Sequence, residues 1–260
     1  MIAVRSLVYN VLFYLMTIAL MIFGLPTLLF GPAGIEALAR LWGAISVWLL
    51  DKICGLKLEY RGLENIPTGG YILASKHQSF LETFALLRYA PDFAIILKRQ
   101  LTYVPLFGLY LIVSKQIAID RGAGMKALQQ LVAAAKPVLA AGRQIMVYPE
   151  GTRRTPGAPP RYKQGVAFLY AESDAPCLPV AVNTGLFWRR REFSRRPGVA
   201  VVEYLPAIPP GLKRADFARK LQDVIERACD RLNEEAIARE PSLRAIVEAG
   251  AREVDEPAKG

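Results

Sequence analysis

Apolar and polar positions are distributed in two different ways along the chain, and each predicts a different architecture. Residues 7–30 are almost continuously apolar, with Asn10, Thr17 and Thr27 as the polar interruptions. A helix of that length reaches across the ~30 Å hydrocarbon core of a bilayer. Arg5 supplies the positive flank of a signal peptide, but the run exceeds the usual ~7–15 apolar residues and no small-x-small site closes it. Gly31-Pro32-Ala33-Gly34 reads as a turn, and residues 35–53 as a second helix. That helix carries Leu38, Leu41, Trp42, Ile45, Trp48, Leu49 and Leu50, with Glu36, Arg40, Asp51 and Lys52 near its ends. An all-apolar helix followed by an amphipathic one with tryptophans predicts a membrane-inserted hairpin over residues 1–54. A full span followed by an interfacial helix fits equally, and a buried core pair is the alternative.

Beyond Gly55 the pattern changes to short apolar runs separated by helical stretches. Residues 71–75, 93–97, 116–120, 144–149, 178–183 and 199–205 read as strands. Their hydrophobicity is continuous rather than alternating, as in strands covered on both faces. Helical stretches lie near 82–89, 124–141 and 164–173, and a final helix over 214–239 places Phe217, Leu221, Val224, Ile225, Ala228 and Leu232 on one stripe. The alternation predicts an α/β domain over 55–240 with a mixed, mostly parallel sheet flanked by helices. The charged tail 241–260 is expected to fray. In open sheets of this kind sites gather at the carboxyl ends of strands, where His77 and Pro149-Glu150-Gly151 both fall.

Composition narrows the partners. The 260 residues carry a net charge of +10 on a chain of positive mean hydropathy. Basic and greasy together suit an anionic membrane surface, and no RNA- or DNA-binding motif accompanies the charge, so nucleic acid is not expected. The three cysteines, Cys54, Cys177 and Cys229, are odd in number and lack metal-ligand spacing. They predict reduced thiols in a cytosol-facing protein and no metal site.

His77 is the one histidine of the chain, in Lys76-His77-Gln78-Ser79-Phe80-Leu81-Glu82. A histidine and a carboxylate are the minimum pair for drawing a proton off a hydroxyl. Five residues apart on a regular helix the two would not face each other. They meet only if His77 sits in the turn before a helix whose first turn holds Glu82. Ser79-Phe80-Leu81-Glu82 also matches a capping box, in which the glutamate would bond the cap's own N–H and be structural.

Two further segments bear on the same edge. Tyr148-Pro149-Glu150-Gly151-Thr152-Arg153-Arg154 combines a tight turn with arginines suited to bidentate phosphate binding. Lys98-Arg99-Gln100-Leu101, with Pro105 and Gly108, puts cations beside a hydrophobic turn. In these blocks the chain resembles the glycerolipid acyltransferase family, and within it the 1-acyl-sn-glycerol-3-phosphate acyltransferases. His77 to Glu82 resembles its H-x-x-x-x-D motif, and Lys98, Arg99, Leu101, Pro105 and Gly108 its Pro-x-x-Gly segment. Tyr148 to Arg153 is similar to F-P-E-G-T-R, and Leu178-Pro179-Val180-Ala181-Val182 to the fourth block. Two positions depart from the pattern: Glu82 replaces an aspartate, and Gln100 replaces the usual acid.

The resemblance implies acyl transfer from acyl-CoA or acyl carrier protein to the free hydroxyl of a lysophospholipid at a cell membrane, with the site facing the cytosol and no cofactor. His77 is the implied general base and Glu82 its orienting partner. Lys98, Arg121, Glu150, Gly151, Thr152 and Arg153 are the implied phosphate-binding group, with Glu150 fixing the turn or contacting the acceptor. Phe80, Phe84 and Phe107 would line an acyl groove or simply belong to the core. The basic stretch 188–196 suits headgroups, coenzyme A phosphates or solvent. Another acceptor, a thioester hydrolase and a non-catalytic lipid carrier are the competing functions.

Overall fold

The computed structural model describes residues 1–120 and 124–253. At its centre is a seven-stranded sheet of order β1-β7-β6-β2-β5-β3-β4. The strands are β1 (Leu56–Arg61), β2 (Ile72–Ser75), β3 (Phe93–Lys98), β4 (Ile117–Ile119), β5 (Gln144–Val147), β6 (Cys177–Val182) and β7 (Gly198–Tyr204). β6, β2, β5, β3 and β4 run parallel, and β7 pairs antiparallel with β6 and parallel with β1. The expected mixed, mostly parallel sheet flanked by helices is therefore present.

The side-chain alternation of the central strands explains their continuous apolar character. In β2, Leu73 faces one core while Ile72 and Ala74 face the other; in β6, Leu178, Val180 and Val182 oppose Cys177 and Ala181. With both faces covered, nearly every position is apolar, with Ser75 at the end of β2 and Gln144 at the start of β5 among the polar exceptions. β1 escapes that rule. Leu56-Lys57-Leu58-Glu59-Tyr60-Arg61 alternates because it is an edge strand with partly exposed positions, and six residues nonetheless pair with β7. A search for continuous apolar runs passes over it.

The first face carries the amino-terminal helices α1 (Ile2–Phe23) and α2 (Gly31–Leu49), with α3 (Leu81–Ala85). The second carries α5 (Gly124–Ala140), α6 (Gln164–Ser173) and α7 (Arg214–Arg239). Between β3 and β4 lies α4 (Phe107–Val113). The hairpin's turn falls earlier than its sequence suggests. Pro26 has no N–H and its ring blocks a continuing helix, so α1 ends at Phe23 and a 3-10 turn, Leu25–Phe30, follows. Pro32, read as part of the turn, instead sits in the first turn of α2, where a missing N–H costs nothing.

Tyr9 and Phe13 of α1 and Leu49 of α2 share one core with Leu73, Met146 and Val180 of the sheet. The hairpin thus has one face fastened to the α/β body and another left outward: Val4, Leu7, Val11, Tyr14, Leu15 and Ile18 are exposed. Both helical stretches, Ile2–Phe23 and Leu25–Cys54, are long and apolar enough to cross a membrane. At the other end, the expected fraying tail is helical as far as Ala251. A 3-10 turn, Pro241–Leu243, leads into α8 (Arg244–Ala251), which buries Ile246, and Glu253 accepts a hydrogen bond from Thr155. Its apolar residues are too few to show as a stripe among the charges. All three cysteines are buried free thiols.

Candidate active site

β2, β5 and β6 end at the same edge of the sheet, and the residues that follow them converge. After β2, residues 76–80 are non-helical and α3 begins at Leu81, so His77 stands before the helix and Glu82 in its first turn. His77 Nδ1 lies 3.0 Å from Glu82 Oε1. The same oxygen accepts the backbone N–H groups of Gln78 at 2.6 Å and Ser79 at 2.7 Å. Thr184, just beyond β6, donates its hydroxyl to Glu82 Oε2 at 2.7 Å. Four donors thus converge on a carboxylate with no solvent exposure, which compensates its desolvation.

The N-cap of α3 is Phe80 rather than Ser79, so the capping box is displaced. Holding the turn and orienting the ring are nonetheless not alternatives for Glu82, because one oxygen does both. The longer side chain lets the carboxylate reach back over the turn to the imidazole while holding Gln78 and Ser79. Because Oε1 only accepts, Nδ1 carries the proton, and Nε2 is left as the acceptor with no partner among the described residues. Ser79 accepts the N–H of Leu81 at 3.1 Å, a local turn bond and nothing more.

Separating the two duties by substitution gives a clear expectation. Ser79→Ala removes one local hydrogen bond, should cost about 1 kcal/mol of stability and should spare turnover. Glu82→Gln should lower turnover roughly tenfold to a hundredfold as well as stability, because its amide oxygen can still accept the Nδ1–H but carries no charge to steady the imidazolium. Parallel thermal melts and steady-state assays separate the outcomes; equal turnover in the two variants would remove the catalytic part of the Glu82 role.

The imidazole is held on its other side by Tyr148, whose ring stacks on it with centroids 3.9 Å apart and planes 19° off parallel. His77 is 15% exposed. Burial, reinforced by the charge of Glu82, pushes the Tyr148 phenol far above its ordinary pKa, so it stays neutral. The His77 carbonyl accepts the N–H of Arg154 at 2.8 Å, which ties the loop after β5 directly to the histidine. Gly151 turns that loop with φ +66°, a left-handed conformation that favours glycine, and donates its N–H to Tyr148 O.

The predicted phosphate-binding residues divide. Arg153 is half-buried and has no carboxylate partner among the described residues. Burial, then the neighbouring charge of Arg190 and Arg191, holds its pKa below the ordinary value, while Glu82 pulls the other way. Three guanidinium groups accumulate here, and Arg190 reaches the Arg153 carbonyl at 3.5 Å. Gly151 and Thr152 shape the same loop and are partly exposed. Lys98 is exposed at the end of β3, on the same edge but beyond β5. Arg121 lies outside the described residues.

Glu150 belongs elsewhere, and its assignment to phosphate binding is corrected. Its carboxylate is 2% exposed, points inward, and accepts Lys76 Nζ at 3.2 Å and the N–H of Arg161 at 3.2 Å. Lys76, also buried, is gripped by Glu226 of α7 at 2.8 Å and 3.0 Å, and Tyr162 donates to the same glutamate. Burial opposes the Lys76 charge, but Glu150 and Glu226 together hold its pKa above the ordinary value. Burial pushes Glu150 up, with Lys76 opposing and Glu226 adding to the rise. Two acids share one buried cation. The turn-fixing reading of Glu150 fits this ion pair.

Thr184, Tyr148 as a stacking partner, Lys76 and Glu226 were not assigned roles from sequence. Lys76 stood beside the histidine without a visible reason, and Glu226 looks like one more charge on an amphipathic helix. An apolar cavity of about 370 Å³ adjoins the site, with Phe80 and Thr83 on one side and Phe13, Trp42 and Phe107 on others. Phe84 is fully packed in the core instead.

The family described as Acyltransferase matches residues 57–183. A protein of Pseudomonas aeruginosa named 1-acyl-sn-glycerol-3-phosphate acyltransferase is 38% identical over 167 residues, which make up 64% of this chain and 65% of that one. The mouse 1-acyl-sn-glycerol-3-phosphate acyltransferase alpha is 28% identical over 158 residues, 59% of this chain and 55% of that one. The matched region thus spans less than two thirds of the length of either relative. In three dimensions the crystal structure of the 1-acyl-sn-glycerophosphate acyltransferase of Thermotoga maritima superposes with a TM-score of 0.74. It is 19% identical and aligns with 89% of this chain and 99% of its own. That likeness establishes a shared fold.

Proposed function

With residues 57–183 an acyltransferase-family domain, we propose that this protein transfers a fatty acyl group from an acyl thioester to the free sn-2 hydroxyl of 1-acyl-glycerol-3-phosphate. The observation that carries this reading is a hydrogen-bonded imidazole–carboxylate pair beside an apolar cavity whose lining includes Phe80 and Thr83, the neighbours of that pair. Proton-transfer machinery and chain-binding space stand side by side.

In the mechanism, Nε2 of His77 removes the proton of the acceptor hydroxyl as its oxygen attacks the thioester carbonyl. Glu82 keeps the ring in the Nδ1–H tautomer and steadies the imidazolium that forms. The tetrahedral adduct collapses, the C–S bond breaks, and the thiolate takes the proton back from His77. The donor is acyl-CoA or acyl carrier protein, and no covalent enzyme intermediate is required. Arg153, with Arg190 beside it, is placed to meet the acceptor phosphate, and the cavity takes an acyl chain.

Membrane attachment is part of the proposal. The outward face of α1 is apolar along its length, while Tyr9 and Phe13 bind the opposite face into the core of the α/β body. A helix fastened lengthwise in this way lies in the membrane surface more readily than through it. The site then faces the cytosol, where acyl thioesters are supplied.

The test is an assay of purified protein with lysophosphatidate and a panel of acyl-CoA and acyl-carrier donors, with phosphatidate as the expected product. Thioester hydrolysis at the same rate without acceptor would overturn the reading. Arg153→Ala should raise the KM for lysophosphatidate about tenfold or more, the loss of a charge-assisted phosphate contact, and barely alter the donor KM. Equal effects on both substrates would remove Arg153 from acceptor recognition.

A further inference from the structure

A second apolar surface lies outside the amino-terminal hairpin, in the crossover between β3 and β4. Leu101, Tyr103, Val104, Leu106, Leu109 and Ile112 are all exposed there, Tyr103 at 72% and Ile112 at 61%. With Phe107, seven large apolar side chains face outward within twelve residues, more than scattered surface leucines explain. The backbone is built to hold them there. Leu106 adopts φ +60° and ψ −55°, and the N–H of Phe107 donates to Pro105 O at 2.7 Å. Together these form a γ-turn of the strained hand. Gly108 packs so closely under this knuckle that a Cβ would lie 2.0 Å from Thr102 O. The Pro-x-x-Gly pattern is thus the covalent recipe for a rigid apolar projection.

We propose that residues 101–112 are a second membrane-contact element, which rests on the reading that α1 and α2 attach the protein to a lipid surface. Three observations select a bilayer as its occupant. First, the surface is continuous with that of α1: Tyr110 of α4 donates its hydroxyl to Met21 O near the end of α1 at 2.8 Å. Second, exposed cations flank it, with Lys98 and Arg99 before and Lys115 after, where they would meet anionic headgroups as the apolar side chains enter. Third, Tyr14 of α1 and Phe107 of α4 both line the apolar cavity and are both exposed, at 62% and 39%. Residues that line a cavity and also face outward mark its mouth, so the cavity opens between α1 and α4. With both walls in the membrane, an acyl chain passes from the bilayer into the cavity without crossing water.

The experiment uses the full chain carrying Tyr103→Glu and Ile112→Glu together, neither residue lining the cavity. Flotation with phosphatidylethanolamine–phosphatidylglycerol vesicles should show affinity at least about tenfold weaker than wild type. Turnover of vesicle-embedded lysophosphatidate should fall in step. Turnover of a short-chain lysophosphatidate presented in detergent should stay within about twofold, which also shows that the variant is folded. Tyr103→Phe with Ile112→Leu should bind vesicles as wild type does. In a second measurement, Ile112→Cys carrying an environment-sensitive fluorophore should shift to the blue on vesicle addition, labelling being selective because the native thiols are buried. Unchanged vesicle affinity in the glutamate variant, or no spectral shift, would overturn the proposal, as would a surface that instead mediates self-association in vesicle-free buffer. Failure of the acyl-transfer reading would show separately, as wild-type protein inactive in detergent.

Discussion

Replacing His77 by alanine is expected to reduce acyl transfer on the order of a thousandfold while leaving the protein folded. General acid–base catalysis by a positioned side chain contributes about 10²–10⁴ in rate, and this chain has one imidazole with which to supply it. The fold should tolerate the change. The ring stacks on Tyr148 at the sheet edge and is partly exposed, and the tie to the loop after β5 runs through the His77 carbonyl, which alanine retains. Circular dichroism melts within a few degrees of wild type, together with loss of phosphatidate formation, would establish the point. More than a few per cent residual activity would sink the general-base role. Glu82 remains capped by Gln78, Ser79 and Thr184 in this variant, so lost activity could not be blamed on an unsatisfied carboxylate.

The second large effect concerns stability. Lys76→Met should destabilise the protein by about 3–5 kcal/mol, the usual consequence of removing one partner from a buried ion pair. At this chain length that lowers the melting temperature on the order of 10 °C. Lys76 and Glu150 side chains are 3% and 1% exposed, whereas Glu226 at 21% can turn toward water. The uncompensated charge is therefore that of Glu150. Its pKa is already raised by burial in the intact protein, and loss of the ammonium raises it further. A carboxyl with a folded-state pKa above its unfolded value has its stability contribution in full below the unfolded pKa and loses it as pH rises through the folded pKa. The variant should thus be less impaired near pH 5 than near pH 8. Glu150→Gln added to Lys76→Met should recover much of the loss. Thermal melts of the single and double variants at the two pH values check this, and a pH-independent deficit would show that packing of the lysine stem, not charge, is what matters.

The ion pair also explains why Glu150 misleads when read locally. Within Tyr148-Pro149-Glu150-Gly151-Thr152-Arg153, an acid among phosphate-binding residue types invites a substrate contact. The chain turns it the other way, because Gly151 reverses the loop after β5 and leaves Arg153 facing the cluster of arginines while Glu150 enters the interior. Glu226, the acid that shares its lysine, lies 150 residues from Lys76. On α7 it is one polar residue beside the apolar stripe, with no local sign that it reaches beneath the sheet edge.

What the sequence by itself determined were features with a short range. β2, β5 and β6 were legible because strands covered on both faces are apolar along most of their length, and α7 because its stripe repeats at helical spacing. His77 and Glu82 were legible as a pair because one turn and the start of one helix bring them together over five residues. Edge strand β1 and the short α8 were not, since each depends on which neighbour covers it. Tertiary structure alone decided that Thr184, 102 residues from Glu82, completes the carboxylate's partners. It also decided that Tyr148 stacks on the imidazole and that Lys76 anchors three segments. Hydrogen bonds and ion pairs act over about 3 Å in space, and only the packed sheet sets which distant residues come within that reach.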